Sequence, residues 1–293
     1  MPTFSTHDFP ISEVPVVLAP PCENDARLDI VDRVDRRLDD LERIWDRVAT
    51  AEDYVVPDLE FEAPAGFTLS VVIPVFNEKT TILEVLARVH SLPIDVEIIV
   101  VDDHSTDGTR GWLEGLRNAP GLKLIFQPEN YGKGAALRSG FEAATGDVIV
   151  IQDADLEYDP RDILTVIEPI VAGEADVVYG SRFLGEEPQD ESFVHRFGNA
   201  LLTRTSNFFT GLKLTDMETC YKAFRREVLT ELPLKQNRFG FEPEVTAKLA
   251  RRGCRIEERP IRYNARGYDQ GKKIGLSDLF NALYCIVRYG LRD

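Results

Sequence analysis

Positive charge is in short supply: 34 Lys and Arg stand against 50 Asp and Glu in 293 residues, a formal net charge of -16. A nucleic-acid binder needs the opposite balance or a basic stripe, so nucleic acid is excluded as a partner. Cysteine is scarce, and Cys22, Cys220, Cys254 and Cys285 form no CxxC pair. That argues against structural zinc and a disulfide framework, and it fits a reducing compartment. No apolar run nears the roughly 20 residues that cross a bilayer, and no basic-then-apolar leader opens the chain. The expectation is a cytoplasmic protein, soluble or peripheral at the membrane face.

The acidity is uneven. Residues 1–68 hold 16 acids and 6 bases, net -10, leaving 34 against 28 for the remainder. Residues 1–24 are proline-rich and aperiodic and read as an extended arm. Over residues 25–52 the apolar Val31, Val34, Leu38, Leu41, Trp45 and Val48 recur three and four apart. That spacing puts one seam on one helix face. The seam suits packing on the chain's own domain or a dimerising coiled coil. Residues 1–66 are therefore set apart as an acidic arm and amphipathic helix. Pro64-Ala65-Gly66 link them to a domain spanning 67–275, and 276–293 form a terminal amphipathic helix.

Short β-branched runs at 69–75, 96–101, 122–126, 148–151 and 177–179 alternate with helical patterns at 80–91, 109–117, 133–144 and 160–172. Such alternation predicts βαβ units, an α/β fold with a mostly parallel, Rossmann-like sheet covered by helices on both faces. Right-handed crossovers then bring the strand C-termini to one edge, where ligands bind.

Those strand ends carry the chemistry. The first ends in Pro74-Val75-Phe76-Asn77-Glu78, the second in Asp102-Asp103, and the fourth in Asp153-Ala154-Asp155-Leu156-Glu157. Carboxylates gathered at one edge need a positive partner. Oxygen ligands without His or Cys suit Mg²⁺ or Mn²⁺, ions that bridge to phosphates. Asp107 also reads as a helix cap. Between the acids, Gly132-Lys133-Gly134 opens a helix and offers amides and a cation to an anion, without Walker or GxGxxG spacing.

Taken together, VVIPVFNE (71–78), VVDDHSTDGT (100–109), NYGKGAALRSG (130–140) and DADLEYDP (153–160) resemble glycosyltransferase family 2 with the GT-A fold. Within it they are similar to the dolichyl-phosphate mannose and glucose synthase group of polyprenyl-phosphate glycosyltransferases. The resemblance spans about residues 68 to 275. It implies that Pro74, Val75, Glu78 and Asp103 hold the nucleotide, with Lys133 and Ala154 beside the donor. It implies that Asp153 and Asp155 bind the metal and donor diphosphate, with Glu157 completing the coordination. On the acceptor side it points to Arg182, to Arg196 after His195, and to Lys222 in the segment from Thr215 to Glu227. The basic, glycine-punctuated stretch 266–274 stands where the group has a closing loop. The apolar Leu276, Leu279, Phe280, Leu283, Ile286 and Val287 mark a terminal helix that packs on the core or lies at a membrane surface.

The reaction expected is inverting transfer from GDP-mannose or UDP-glucose to a polyprenyl phosphate. A phosphate is already ionised and needs cations, not a base, and the arginine fork suits its oxygens. A hydroxyl acceptor is the alternative, with Asp216 or Glu218 as base unless either pairs with Lys222 or Arg225. Two more distant readings are a sugar-phosphate nucleotidyltransferase and a non-catalytic nucleotide-sugar scaffold. The first expects a glycine-rich basic signature where Phe76-Asn77-Glu78 stands, and the second expects lost DxD acids.

Overall fold

A computed structural model describes residues 43, 54–117, 119, 121–185, 193–265 and 276–292. The proposed helix at 25–52, apart from Arg43, and the basic loop at 266–274 lie outside the described residues.

The elements run β1 (Leu69–Val75), α1 (Ile82–His90), β2 (Val96–Asp102), α2 (Thr109–Glu114), β3 (Leu122–Phe126), α3 (Lys133–Ala143), β4 (Val148–Ile151), α4 (Asp162–Val171) and β5 (Val177–Ser181). After them come α5 (Phe193–Thr210), β6 (Lys222–Arg225), α6 (Arg226–Thr230), α7 (Phe241–Arg251), β7 (Ile256–Pro260) and α8 (Leu276–Leu291). The strands form one seven-stranded sheet ordered β3-β2-β1-β4-β6-β5-β7. Its interior strands are Val- and Ile-rich, and β4 and β5 are buried throughout, as a sheet covered on both faces requires.

Chain direction places the site. From β1 the sheet grows through β2 to β3, then reverses so that β4 pairs with the other edge of β1. The reversal opens a crevice at the C-terminal ends of β1 and β4, the usual ligand position in such sheets. Beyond β4, β6 enters antiparallel to both β4 and β5. The parallel reading thus holds for the half formed by β3, β2, β1 and β4, and one antiparallel strand joins the second half to it.

Helix α3 lies close against the sheet because Gly140 has no side chain. A Cβ there would collide with Val72 Cγ1 and come within 3.3 Å of Val101 Cγ2. Gly140→Ala should destabilise the fold by roughly 1–3 kcal/mol, the range for overpacking a filled core. The added methyl outweighs the better helix propensity of alanine. Urea unfolding followed by circular dichroism measures the difference.

Candidate active site

Three turns at the sheet edge share one backbone feature. Asn77, His104 and Leu156 have φ of 60°, 64° and 63°, and they are the only non-glycine residues with positive φ among the described residues. They follow β1, β2 and β4 in turn. Such conformations persist where surrounding bonds over-determine them, and they cluster at ligand sites. Asn77 is held because its Oδ1 accepts the amides of Thr106 (2.7 Å) and Asp107 (3.3 Å), while its own amide donates to Ser105 Oγ. The ends of β1 and β2 are thereby tied together. Asp107 accepts the Thr109 amide at 2.9 Å, but the N-cap position of α2 is Gly108, so Asp107 stands one residue ahead of the cap expected of it.

The second-strand acids divide their duties. Asp102, fully buried, accepts Arg110 Nε at 2.6 Å. Asp103 accepts the amides of Tyr131 (2.9 Å) and Gly132 (2.7 Å) on its two oxygens. Its carboxylate therefore shapes the glycine loop, a role the sequence did not reveal. Val75 lies at the β1 end, where its carbonyl takes the Asp103 amide at 2.8 Å, and Pro74 is half-buried before it. The Glu78 carboxylate accepts Thr81 Oγ1 at 2.9 Å, and its carbonyl receives the amides opening α1. Phe76 and Tyr131, which sequence reasoning passed over, stand exposed beside these groups.

The glycines of the loop have a different cause from the one expected. At Gly132 (φ 97°) a Cβ would lie 2.6 Å from the Asn237 carbonyl, and at Gly134 it would strike the Gln236 carbonyl. The Asn237 carbonyl also accepts the Ala135 amide at 3.1 Å. Residues 236–238 therefore cover part of the helix terminus that was assigned to an anion, and the glycines admit that crossing. Lys133 turns to the DxD acids instead: its Nζ lies 2.8 Å from Asp153 Oδ1 and 4.0 Å from Glu242 Oε1. Burial alone would lower the Lys133 pKa, but the Asp153 carboxylate beside it, with smaller contributions from Cys220 and Glu242, holds it well above the ordinary value.

At the end of β4, Ala154 is buried, and Asp155 Oδ1 accepts the Glu157 amide at 3.1 Å. The Glu157 carboxylate accepts the Tyr263 hydroxyl at 2.7 Å, which ties it to the aromatic wall. There Tyr158 packs on Tyr221 and Tyr263, with ring centroids 4.9 and 5.1 Å away. Among the described residues no three His, Cys, Asp or Glu side chains form a ready metal cluster. The oxygen donors of Asp153 and Asp155 would still fit Mg²⁺ or Mn²⁺, hard cations that take carboxylate oxygens and fill their remaining positions with water or phosphate oxygens.

On the far side of the crevice, Arg182 Nε and Nη2 donate to the two oxygens of Asp216 at 2.7 and 2.9 Å. Asp216 also accepts the Arg182 amide (3.2 Å) and Asn199 Nδ2 (3.1 Å). Burial pushes its pKa up, but Arg182 prevails and holds it below the ordinary value. The partner of Asp216 is thus Arg182, not Lys222 or Arg225. Lys222 is fully buried, with Nζ donating to the Thr219 carbonyl and lying 4.7 Å from the Tyr179 ring centroid. Its side chain thus lies in the interior and not on the open surface of the crevice. Arg196 is exposed at the start of α5. With Phe183, Phe197, Asn199, Ala200 and Thr215 it lines a mainly apolar cavity of about 380 Å³.

A profile of glycosyl transferase family 2 matches residues 70–232, and the chain belongs to that family. Among its relatives is the undecaprenyl-phosphate 4-deoxy-4-formamido-L-arabinose transferase of Aeromonas hydrophila. It is 31% identical over 225 residues, 75% of this chain and 66% of that protein. The polyprenol monophosphomannose synthase of Mycolicibacterium smegmatis is 28% identical over 76% of this chain and 86% of its own. The chain spans just under two thirds of the length of the arabinose transferases it matches. In structure it is similar to the GT-A glucosyl-3-phosphoglycerate synthase of Mycobacterium tuberculosis with UDP: TM-score 0.57, 24% identity, 76% of this chain and 81% of that one. Another crystal of that enzyme holds Mn²⁺, UDP and phosphoglyceric acid, with TM-score 0.53, 24% identity and 70% and 74% coverage. These likenesses establish the fold.

Beneath the site, Glu218 Oε1 is buried with no hydrogen-bond partner among the described residues. Burial, with Glu242 nearby, pushes the Glu218 pKa from 4.5 up to about 8. A carboxyl that binds its proton more tightly when folded stabilises the fold fully below the unfolded pKa. That contribution is lost as pH rises through the folded one. Between pH 5 and pH 8 the wild-type melting temperature should therefore fall more steeply than that of Glu218→Gln. Parallel slopes in thermal melts across that range would contradict the assignment.

Proposed function

We propose that the chain moves a glycosyl group from a nucleotide-diphosphate sugar to a polyprenyl phosphate, inverting the anomeric carbon. The observation that carries the acceptor is the apolar cavity rimmed by Arg196 and lying beside the Arg182–Asp216 pair. An isoprenoid phosphate needs both an apolar wall and a cation at its mouth. Arg196 makes no ion pair with a described residue, so its fork is available to phosphate oxygens. Asn199 lines the cavity while donating to Asp216, so the arginine pair also fixes the cavity floor. The printed functions of the undecaprenyl-phosphate and polyprenol relatives support the same acceptor class.

A hydroxyl acceptor would require a base. Asp216 already accepts four hydrogen bonds and has its pKa held down by Arg182. Glu218, pushed up to about 8, keeps its proton at neutral pH. Neither is suited to removing a hydroxyl proton, and Asp216→Asn would disturb Arg182 whichever acceptor is used.

On the donor side Asp153 and Asp155 would hold Mg²⁺ or Mn²⁺, which neutralises charge on the departing nucleoside diphosphate. The protein's own part is positional. Asp103 sets the glycine loop, Lys133 brings a cation to the DxD acids, and Arg196 orients the acceptor oxygen towards the anomeric carbon. GDP-mannose and UDP-glucose are the donors to test.

Peripheral contact with a lipid surface follows from helices α5 and α8. Phe197, Leu201, Arg204 and Phe208 are exposed on α5, and Phe280, Tyr284, Val287 and Leu291 on α8. Each set follows i, i+4, i+7, i+11 and so forms one stripe. The helices meet where Phe209 packs on Gly290. The face predicted for α8 thus divides, with Leu279, Leu283 and Ile286 against the core and Phe280 and Val287 outward. Residues 193–215 and 279–292 hold Arg196, Arg204, Lys213, Arg288 and Arg292 and no acid, in a chain of net charge -16. An apolar stripe with basic flanks suits an anionic lipid surface. Among the described residues no helix is long and apolar enough to cross a membrane.

In a transfer assay with radiolabelled donor and undecaprenyl or dolichyl phosphate, Asp155→Asn should lose about 100-fold in rate, as for removal of one transition-state contact. Arg196→Ala should lose a similar factor while still binding the donor. Equal transfer by Arg196→Ala would remove the acceptor assignment. Separately, Arg204→Glu combined with Arg288→Glu should abolish cosedimentation with vesicles containing phosphatidylglycerol and leave turnover of a short-chain soluble acceptor intact.

A further inference from the structure

The donor site contains an ion pair that stands where the proposed metal must act. Lys133 Nζ is 2.8 Å from Asp153 Oδ1, so the first DxD carboxylate already has a cation. A divalent ion sharing that carboxylate would come within a few ångströms of the ammonium, and two cations at that separation repel strongly in a partly dehydrated crevice. Lys133 must then give way. The direction open to it is marked by Glu242 at the start of α7. Glu242 is buried, its Oε1 lies 4.0 Å from the same Nζ, and its Oε2 has no hydrogen-bond partner among the described residues. A buried carboxylate oxygen left unpartnered is costly unless a second state uses it.

The backbone holds the helix that carries Glu242 against the loop that carries Lys133. The 236–238 segment leading to α7 lies across the glycine loop that precedes Lys133. There the Asn237 carbonyl takes the Ala135 amide, and Arg138 Nη2 donates to Asn237 Oδ1 at 2.5 Å. Gly132 and Gly134 admit the crossing because a side chain at either would strike the 236–238 backbone. Lys133 can therefore exchange partners by side-chain rotation, with loop and helix both held.

We propose that Lys133 is an exchangeable counter-ion of the DxD motif and that Glu242 is the carboxylate that receives it. Without metal, Lys133 neutralises Asp153. When a divalent ion binds, Lys133 Nζ moves to Glu242, and Asp153 is released to the ion. Glu242 touches neither donor nor acceptor; it is a positioning residue that sets metal affinity through Lys133. The exchange rests on the metal-dependent donor site proposed above.

Mn²⁺ binding to the full chain, followed by electron paramagnetic resonance of free Mn²⁺ with no nucleotide or substrate present, tests it apart from activity. Glu242→Gln should weaken Mn²⁺ about threefold to tenfold, the size of a coupling between neighbouring groups. Lys133→Met should bind Mn²⁺ at least as tightly as wild type, because the competitor for Asp153 is gone. The deciding arm is the double variant. With no lysine to receive, Glu242→Gln should have no effect in the Lys133→Met background. The same loss in both backgrounds would mean that Glu242 acts only through space, and the exchange would be overturned. Glu242→Asp keeps the charge but withdraws it from Nζ; it should weaken Mn²⁺ as Gln does, and wild-type affinity would also overturn the exchange. If no variant binds Mn²⁺, Lys133→Met included, the metal site itself fails, and the exchange with it.

Discussion

Carboxylates crowded onto one sheet edge repel each other and resist burial, and the site is organised around offsetting that cost. Each acid has a distinct solution. Asp102 takes a guanidinium, Asp103 two backbone amides, Asp153 an ammonium, and Asp216 the bidentate fork of Arg182. The solutions differ in permanence. Asp102 and Asp216 are fully buried and multiply bonded, so their pairs belong to the fold. Asp153 is partly open to solvent, and its lysine has a second carboxylate within reach. The pair with a second carboxylate in reach, Lys133–Asp153, is the one at the DxD end, where the proposed metal would bind.

Much of this was visible in the chain itself. Strands β1 to β5 show as β-branched runs because a strand buried on both faces needs apolar side chains on both. The helices between them show as breaks in that pattern with three- and four-residue spacing. Asp153 and Asp155 stand out because acids directly after Val148-Ile149-Val150-Ile151 must emerge at the sheet edge.

What escaped has a common physical cause. Ion pairing is decided by distance in three dimensions, and periodicity carries no record of it. Asp216 could be placed beside Arg225 or Lys222 as readily as beside Arg182. Glu242, in the first turn of α7, has the ordinary look of an acid at a helix N-terminus. Lys222 looked like an acceptor contact, yet the four-residue β6 runs between two central strands and carries it inward. The glycines of the 130–140 motif suggested a phosphate cradle, whereas their close neighbour is the 236–238 backbone.

That inward β6 also sets the spacing of the two sides of the crevice. Pairing antiparallel to both β4 and β5, it sets the DxD strand and the Arg182 strand one strand apart. The Tyr158–Tyr221–Tyr263 wall fills the space between their loops, and Tyr263 contacts Glu157 on one side and the Arg182 guanidinium, 5.1 Å from its ring centroid, on the other. The donor diphosphate and an acceptor phosphate would each carry negative charge into this space. Under the proposed reaction, cations on both sides of the wall would offset that charge: Lys133 and a divalent ion at the DxD end, and Arg196 beside the Arg182–Asp216 pair at the other. In a chain of net charge -16, Lys133 stands on one side of this wall and Arg182 and Arg196 on the other. The lack of positive charge across the chain makes its placement here informative.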